Sequence, residues 1–223
     1  MTFAEENYLK TIFYLEQEAT EGVSTSAIAD YLDTRAASVS DMLQKLAKKE
    51  LIEYKKYYGA ILTHNGRNHA ILVIRRHRLW ETFLVEKLHF GWEEVHEVAE
   101  QLEHIKSEKL INAMDKMLGY PKIDPHGDPI PDANGNFTKI EKRLLADCEE
   151  KWTGTIVGVK DTSSDFLKIL DRKQINLGTV FYILNKEKYD GSIRLKIEDE
   201  SIALSQKMAS NIYIKVISMQ NSE

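Results

Sequence analysis

All four prolines of this chain, Pro121, Pro125, Pro129 and Pro131, fall in the stretch GYPKIDPHGDPIPDANGN that begins at Gly119. Proline fixes φ and donates no backbone hydrogen bond, so neither a helix nor a central strand can run through such a stretch. It reads as a structured loop and a boundary, with Asp124 and His126 two residues apart inside it. Before it, apolar residues recur at helical spacing; after it, short β-rich runs alternate with turn residues. The pattern predicts a mainly α chain that ends in a small, SH3-like β-barrel.

The segment just before the boundary, EEVHEVAEQLEHIKSEKLINAMDKML, has no Pro or Gly from Glu93 to Leu118 and is expected to form one long helix. At about 100° per residue, His96, Glu100, Glu103 and His104 share one side, and Val95, Val98, Ala99, Leu102 and Ile105 form an apolar stripe on another. His77 and Glu81 stand at i, i+4 on the preceding helix, expected over residues 66–90. Alone, they would be an ordinary surface pair. Together the six residues crowd carboxylates that repel unless neutralised, which makes them candidate ligands of a divalent cation. Oxygen and imidazole donors without a thiolate suit Mn²⁺, with Fe²⁺ as the alternative, better than a tetrahedral zinc or copper(I) site.

Upstream, residues 3–18, 25–32 and 36–49 read as three helices, and Leu51–Lys55 and Ala60–Thr63 as a hairpin around the turn-prone Lys56–Gly59. Three helices and a hairpin make a winged helix-turn-helix over residues 1–65, whose third helix would enter a major groove. Arg35, Ser38, Ser40, Asp41, Gln44 and Lys45 lie on the outward face of that helix, with Lys55, Lys56 and Tyr57 on the wing. Residues 34–78 hold ten Lys/Arg against Asp41, Glu50 and Glu53, although the chain carries a net charge of −5. A basic module on an acidic body is the footprint of a site-specific DNA binder. The helices of residues 66–137 suit a dimerisation domain, as a reader of palindromic operator DNA requires.

Beyond the boundary, residues 138–223 are expected to open with a short polar helix, Thr138–Lys151. Strands follow near Thr155–Val159, Thr179–Asn185, Ser192–Ile197, Ser201–Leu204 and Ile212–Ile217, with a helix over Ser164–Asp171. The N-terminus has no apolar run fit for a signal peptide or membrane span, and Cys148 is the single cysteine, which fits a reducing, cytoplasmic setting. His96 to Glu100 spells HExxE rather than the HExxH of a zinc protease. With no phosphate loop and no nucleophile elbow, an enzyme is not expected.

The segments RRHRLWETFL, HEVAEQLEH and DPHGDPIP, the winged helix before them and the small barrel after them together resemble the diphtheria-toxin-repressor family. The resemblance runs from residue 2 to 217. It implies a cytosolic homodimer that binds operator DNA when loaded with Fe²⁺ or Mn²⁺, represses metal-uptake genes and carries two metal sites per subunit. One site would use His77, Glu81 and His96, completed by Asp165 from the barrel and by Asp124 and His126, which match a Cys-Pro-His motif of manganese-responsive relatives. The other would use Glu100, Glu103 and His104 with Asn7. Lys10 stands where some manganese-type members have a ligating Glu, and Asp124 where that motif has a thiolate. A cation is then expected to act as a clamp, drawing the first helix and the barrel onto the sensor helices. The rival reading is a winged-helix regulator that answers an organic effector or a protein partner, its metal sites vestigial.

Overall fold

The computed structural model describes residues 1–17, 19, 21–55 and 58–219. Packing divides the chain into two units: Met1–His77 with Glu100–Ala113 and Pro131–Phe137, and Arg78–Ala99 with Met114–Ile130 and Thr138–Glu223.

The first unit opens with α1, Phe3–Leu15. Thr2 caps it in a reciprocal box: its Oγ1 accepts from Glu5 N at 3.3 Å, and its N–H donates to Glu5 Oε2 at 3.0 Å. Ser24 caps α2, Thr25–Tyr31, and α3 spans Ala36–Lys48. Strands β1, Ile52–Lys55, and β2, Gly59–Leu62, pair antiparallel with Ile52 opposite Leu62. Leu9, Ile12, Ile28, Val39, Leu43 and Leu46 are fully buried where the three helices meet. This is the expected winged helix. Helix α4, His64–Leu88, begins directly after the wing.

The expected helix over Glu93–Leu118 is two helices, α5, Val95–Leu102, and α6, Glu108–Met117. Ser107 starts α6: its carbonyl accepts from Ile111 N at 3.0 Å and its hydroxyl from Leu110 N at 3.3 Å. Glu103 and His104 lie in the turn before it, so a single helical face does not carry them with His96 and Glu100.

In the second unit, the expected polar helix at 138–151 is absent among the described residues. Its place is taken by β3, Arg143–Leu144, and a 3-10 turn at Leu145–Asp147. Leu145 and Cys148 are fully buried there, and burying both draws the segment onto the sheet rather than into a solvated helix. Next come β4 (Trp152–Val159), α7 (Ser164–Arg172), β5 (Val180–Lys186), β6 (Ile193–Ile197) and β7 (Glu200–Leu204). The short α8 (Gln206–Ala209) leads into β8 (Ile212–Met219). The strand order β3-β8-β4-β5-β6-β7 leaves β3 and β7 at the two ends, so the sheet is open and not the closed barrel the sequence suggests. Ile156, Leu167, Leu170, Ile183, Leu195 and Ile212 fill its core. No helix among the described residues is long and apolar enough to cross a membrane.

Candidate metal centre

The proline-rich loop earns its rigidity from Asp124. Its Oδ1 accepts the backbone N–H of His126 and of Asp128, each at 2.9 Å, which closes a tight turn at 124–128. Arg78 on α4 holds the same turn. Its Nη1 donates to Pro129 O, and its Nε and Nη2 lie 3.5 Å from the carboxylates of Asp124 and Asp128. Beside it, His126 O accepts from Val159 N at 2.9 Å, joining the loop to the end of β4.

This turn delivers two side chains to Glu81. Ligand atoms of Glu81, Asp124 and His126 lie within 4.8 Å of one another, and all three residues are buried. Glu81 Oε2 is 3.5 Å from His126 Nδ1, and Glu81 Oε1 is 3.2 Å from His96 Nδ1 on α5. His126 Nε2 meets the Trp92 carbonyl at 2.8 Å. In a neutral imidazole that contact keeps the proton on Nε2 and turns the Nδ1 lone pair to Glu81, the tautomer a metal ligand needs. Trp92 is anchored in turn by its indole N–H to Asp171 Oδ1 at 2.8 Å.

The electrostatics agree with that geometry. Burial and then the facing Glu81 and Asp128 push the Asp124 carboxyl well above the usual carboxylate range, with Arg78 and His126 opposing. For His126, burial by itself would lower the pKa, but Glu81, Asp124 and the Trp92 carbonyl outweigh it and raise it to about 9. In effect a proton held on His126 is the counter-charge of two buried carboxylates. Two carboxylates and one or two imidazoles within ligand distance fit a hard or borderline dication such as Mn²⁺ or Fe²⁺.

His77 lies one turn before Glu81 on α4, and its Nδ1 is 2.6 Å from Glu103 Oε2. Asp165, expected from the barrel, sits exposed in the first turn of α7 and outside the cluster of Glu81, Asp124 and His126.

The other expected site is built differently. Lys10 Nζ is 2.7 and 2.8 Å from the two Glu103 carboxylate oxygens and 3.5 Å from Glu100 Oε1. Burial would raise the Glu103 pKa, yet His77 and Lys10 hold it below its ordinary value. His104 Nδ1 meets Glu6 Oε2 at 2.6 Å, and its ring stacks on Phe3 with centroids 4.4 Å apart. Asn7 Oδ1 is buried without a hydrogen-bond partner. With an ammonium already on the shared carboxylate, these residues do not fit a dication. The periodicity gave no hint of Glu6, Arg78 or the Trp92 carbonyl; only the oddity of a lysine at position 10 was visible.

On the winged helix, Arg35, Ser38, Asp41, Gln44 and Lys45 are exposed along α3, while Ser40 is half-buried with its hydroxyl on Ala36 O at 3.0 Å. Lys55 is exposed at the end of β1; Lys56 and Tyr57 lie outside the described residues. Lys45 and Lys49 also bind the fully buried Glu5 of α1, at 2.9 and 2.7 Å. Burial opposes ionisation of Glu5, but the two lysines and the Thr2 backbone bring its pKa down to about 2. Because the folded value lies below the unfolded one, this stabilisation is complete above about pH 4.5 and is lost as pH falls towards 2. Glu5→Gln should therefore cost about 1–3 kcal/mol at pH 7, reduced by water around the two lysines, and far less at pH 3. Urea denaturation at the two pH values checks this; an equal loss at both would refute it.

Three family models match in series. They are the iron dependent repressor N-terminal DNA binding domain over residues 1–60, its metal binding and dimerisation domain over 63–132, and the FeoA domain over 143–216. The iron-dependent repressor IdeR of Mycobacterium tuberculosis is 37% identical over 126 residues, 56% of this chain and 54% of the repressor. The chain thus spans about half the length of such curated relatives. The HTH-type transcriptional regulator MntR of Oceanobacillus iheyensis is 34% identical over 119 residues, 53% of this chain and 80% of that protein. Among solved structures, a manganese-dependent transcriptional repressor in complex with manganese superposes with a TM-score of 0.86. It is 33% identical and covers 96% of this chain and 100% of its own.

Proposed function

Since the chain belongs to the diphtheria-toxin-repressor family of iron-dependent repressors, we propose that it is a metal-responsive transcriptional repressor. In this reading a homodimer binds palindromic operator DNA when Mn²⁺, or alternatively Fe²⁺, is held by Glu81, Asp124 and His126, with His96 and His77 beside them. Residues 1–65 bind DNA, 66–137 dimerise and hold the metal, and 138–223 form the FeoA-like domain. The observation that carries the reading is the convergence of Glu81, Asp124 and His126, buried and within 4.8 Å of one another, with Asp124 and His126 delivered by a hydrogen-bonded turn.

A bound dication supplies the positive charge that draws these carboxylates and imidazoles together. The chain's own residues do the rest. Arg78 and the Asp124 turn fix the loop, the Trp92 carbonyl sets the His126 tautomer, and Glu81 joins both to α4. That helix begins directly after the wing, at His64, and is the segment through which the bound cation would act on the wing. In a dimer this would set the spacing of the two α3 helices to half-sites about 34 Å apart. Arg35, Ser38, Asp41 and Gln44 would meet base edges or phosphates there, with Lys45 and Lys55 on the backbone. The cytoplasm is where such a regulator would act.

A duplex selected from a random pool with Mn²⁺ present provides the test. Binding should be roughly 5–150-fold tighter with Mn²⁺ or Fe²⁺ than with chelator, the usual range of allosteric coupling. Equal binding in all three conditions would reject the reading. The pH dependence follows from His126, which must release its proton to become a ligand. Mn²⁺ affinity should fall as pH drops below about 9, roughly tenfold per unit, and more steeply once Asp124 also takes up a proton. Calorimetry in buffers of different ionisation enthalpy reads the released protons directly.

A further inference from the structure

We propose that Lys10 is a built-in cation filling the second site that the sequence suggests, so that the chain takes one dication per subunit instead of two. The count of one rests on the reading of the Glu81 cluster given above; the exclusion from the second site does not.

Glu103 is fully buried. Both of its carboxylate oxygens are committed, to Lys10 Nζ at 2.7 and 2.8 Å and, for Oε2, to His77 Nδ1 at 2.6 Å as well. The ammonium also reaches Glu100 at 3.5 Å. Fixed cations already stand around it. Among the described residues Glu6, Glu100 and Glu103 face Lys10, Arg76, whose Nη2 is 3.4 Å from Glu6, and Lys106, whose Nζ is 3.5 Å from Glu6. A dication entering here would meet an ammonium at the same carboxylate, and the two cations would repel.

What surrounds Lys10 nevertheless has the make-up of a metal site. His104 Nδ1 is engaged by Glu6, which leaves Nε2 facing Glu103 Oε1 at 3.9 Å. Asn7, one turn before Lys10 on α1, has a buried amide oxygen with no hydrogen-bond partner. Two carboxylates therefore stand at the lysine head, with an imidazole nitrogen near one of them and the Asn7 amide one turn away along α1. The tie between α1 and residues 100–106 is consequently supplied by the chain itself and is indifferent to metal supply. Glu5 carries the same helix onto Lys45 and Lys49 of α3, so the reading head is held to that segment whether or not the cell has metal.

The test is metal stoichiometry of the full chain, dialysed against Mn²⁺ and measured by mass spectrometry. The wild type should hold one ion per chain, and two would overturn the proposal. A Glu81→Gln/His126→Ala double variant should hold none, and an ion there would overturn it as well. Adding Lys10→Met to the double variant should restore one ion and a Mn²⁺-dependent rise in melting temperature, which a merely structural lysine would not produce. A folded triple variant that ignores Mn²⁺ would refute the claim that the lysine is what excludes the ion. If the triple variant does not fold, the wild-type and double-variant ratios decide alone. No ion in the wild type together with one in a Lys10→Met single variant would sink the reading of the Glu81 cluster and still support the lysine.

Discussion

Glu81→Gln should abolish the response to metal: Mn²⁺ affinity should drop by more than the roughly 10–100-fold that loss of a mere supporting partner costs, and operator binding should become the same with Mn²⁺ as with chelator. Glu81 is the shared member of the cluster, with Oε1 3.2 Å from His96 and Oε2 3.5 Å from His126. Glutamine keeps the shape and removes both the charge and one acceptor, and its amide N–H₂ faces imidazole nitrogens that would have to turn away. In the absence of metal the substitution removes the main reason His126 is raised to about 9, so its imidazole should titrate nearer the ordinary histidine value. Nuclear magnetic resonance of the histidine protons would show that downward shift. The Lys10–Glu103 bond does not involve Glu81 and should stay as it is. A variant whose Mn²⁺ response survived nearly intact would show that the cluster is only a structural ion-pair network.

Gly127→Ala is expected to have the second largest effect, through backbone geometry. Gly127 has φ +86°, a left-handed conformation that costs an L side chain about 1 kcal/mol. The larger obstacle is steric. A Cβ there would lie 2.1 Å from Val157 O and 2.4 Å from Gly158 Cα, both backbone atoms of β4 that have no flexible end to swing aside. The loop must then leave the strand, breaking the bond from Val159 N to His126 O. A total loss of roughly 2–4 kcal/mol fits the strained-backbone class of substitutions. Since Gly127 N also donates to Asp124 O at 3.1 Å, both Asp124 and His126 should move, and Mn²⁺ affinity should fall with stability. Thermal melts with and without Mn²⁺ check it. An unchanged melting temperature and undiminished stabilisation by Mn²⁺ would contradict the account.

Much of the architecture could be read from the chain because its signals are local. The spacing of Leu9, Ile12, Ile28, Val39, Leu43 and Leu46 and the β-rich runs around 56–59 are short-range patterns, and the winged helix follows from them. Where long-range pairing decides, the pattern misleads. Residues 93–118 look like one helix, because nothing in their spacing reveals that Glu103 and His104 will be claimed by Lys10 and Glu6, about ninety-five residues away. Residues 138–151 look like a polar helix, because the pull of Leu145 and Cys148 into the sheet core is a tertiary effect. The same holds for ligands. His77, Glu81 and His96 stand out by helical spacing, but the convergence of Asp124 and His126 on Glu81 depends on an Asx turn and on Arg78. Asp165 stands in the first turn of α7, outside the cluster of Glu81, Asp124 and His126.

One consequence concerns oxidants. Cys148 is fully buried in the sheet core, and burial pushes its thiol up to about 11, so almost none of it is the reactive thiolate. The cluster on Glu81 offers carboxylate and imidazole alone, with Asp124 in the place where the resembling motif carries sulfur. Peroxide therefore finds no thiolate to oxidise in the sensor itself. Under the proposed function an oxidant could act on the ion instead: Fe²⁺ is readily oxidised, Mn²⁺ far less so, and the choice between them would decide whether operator binding survives oxidative stress.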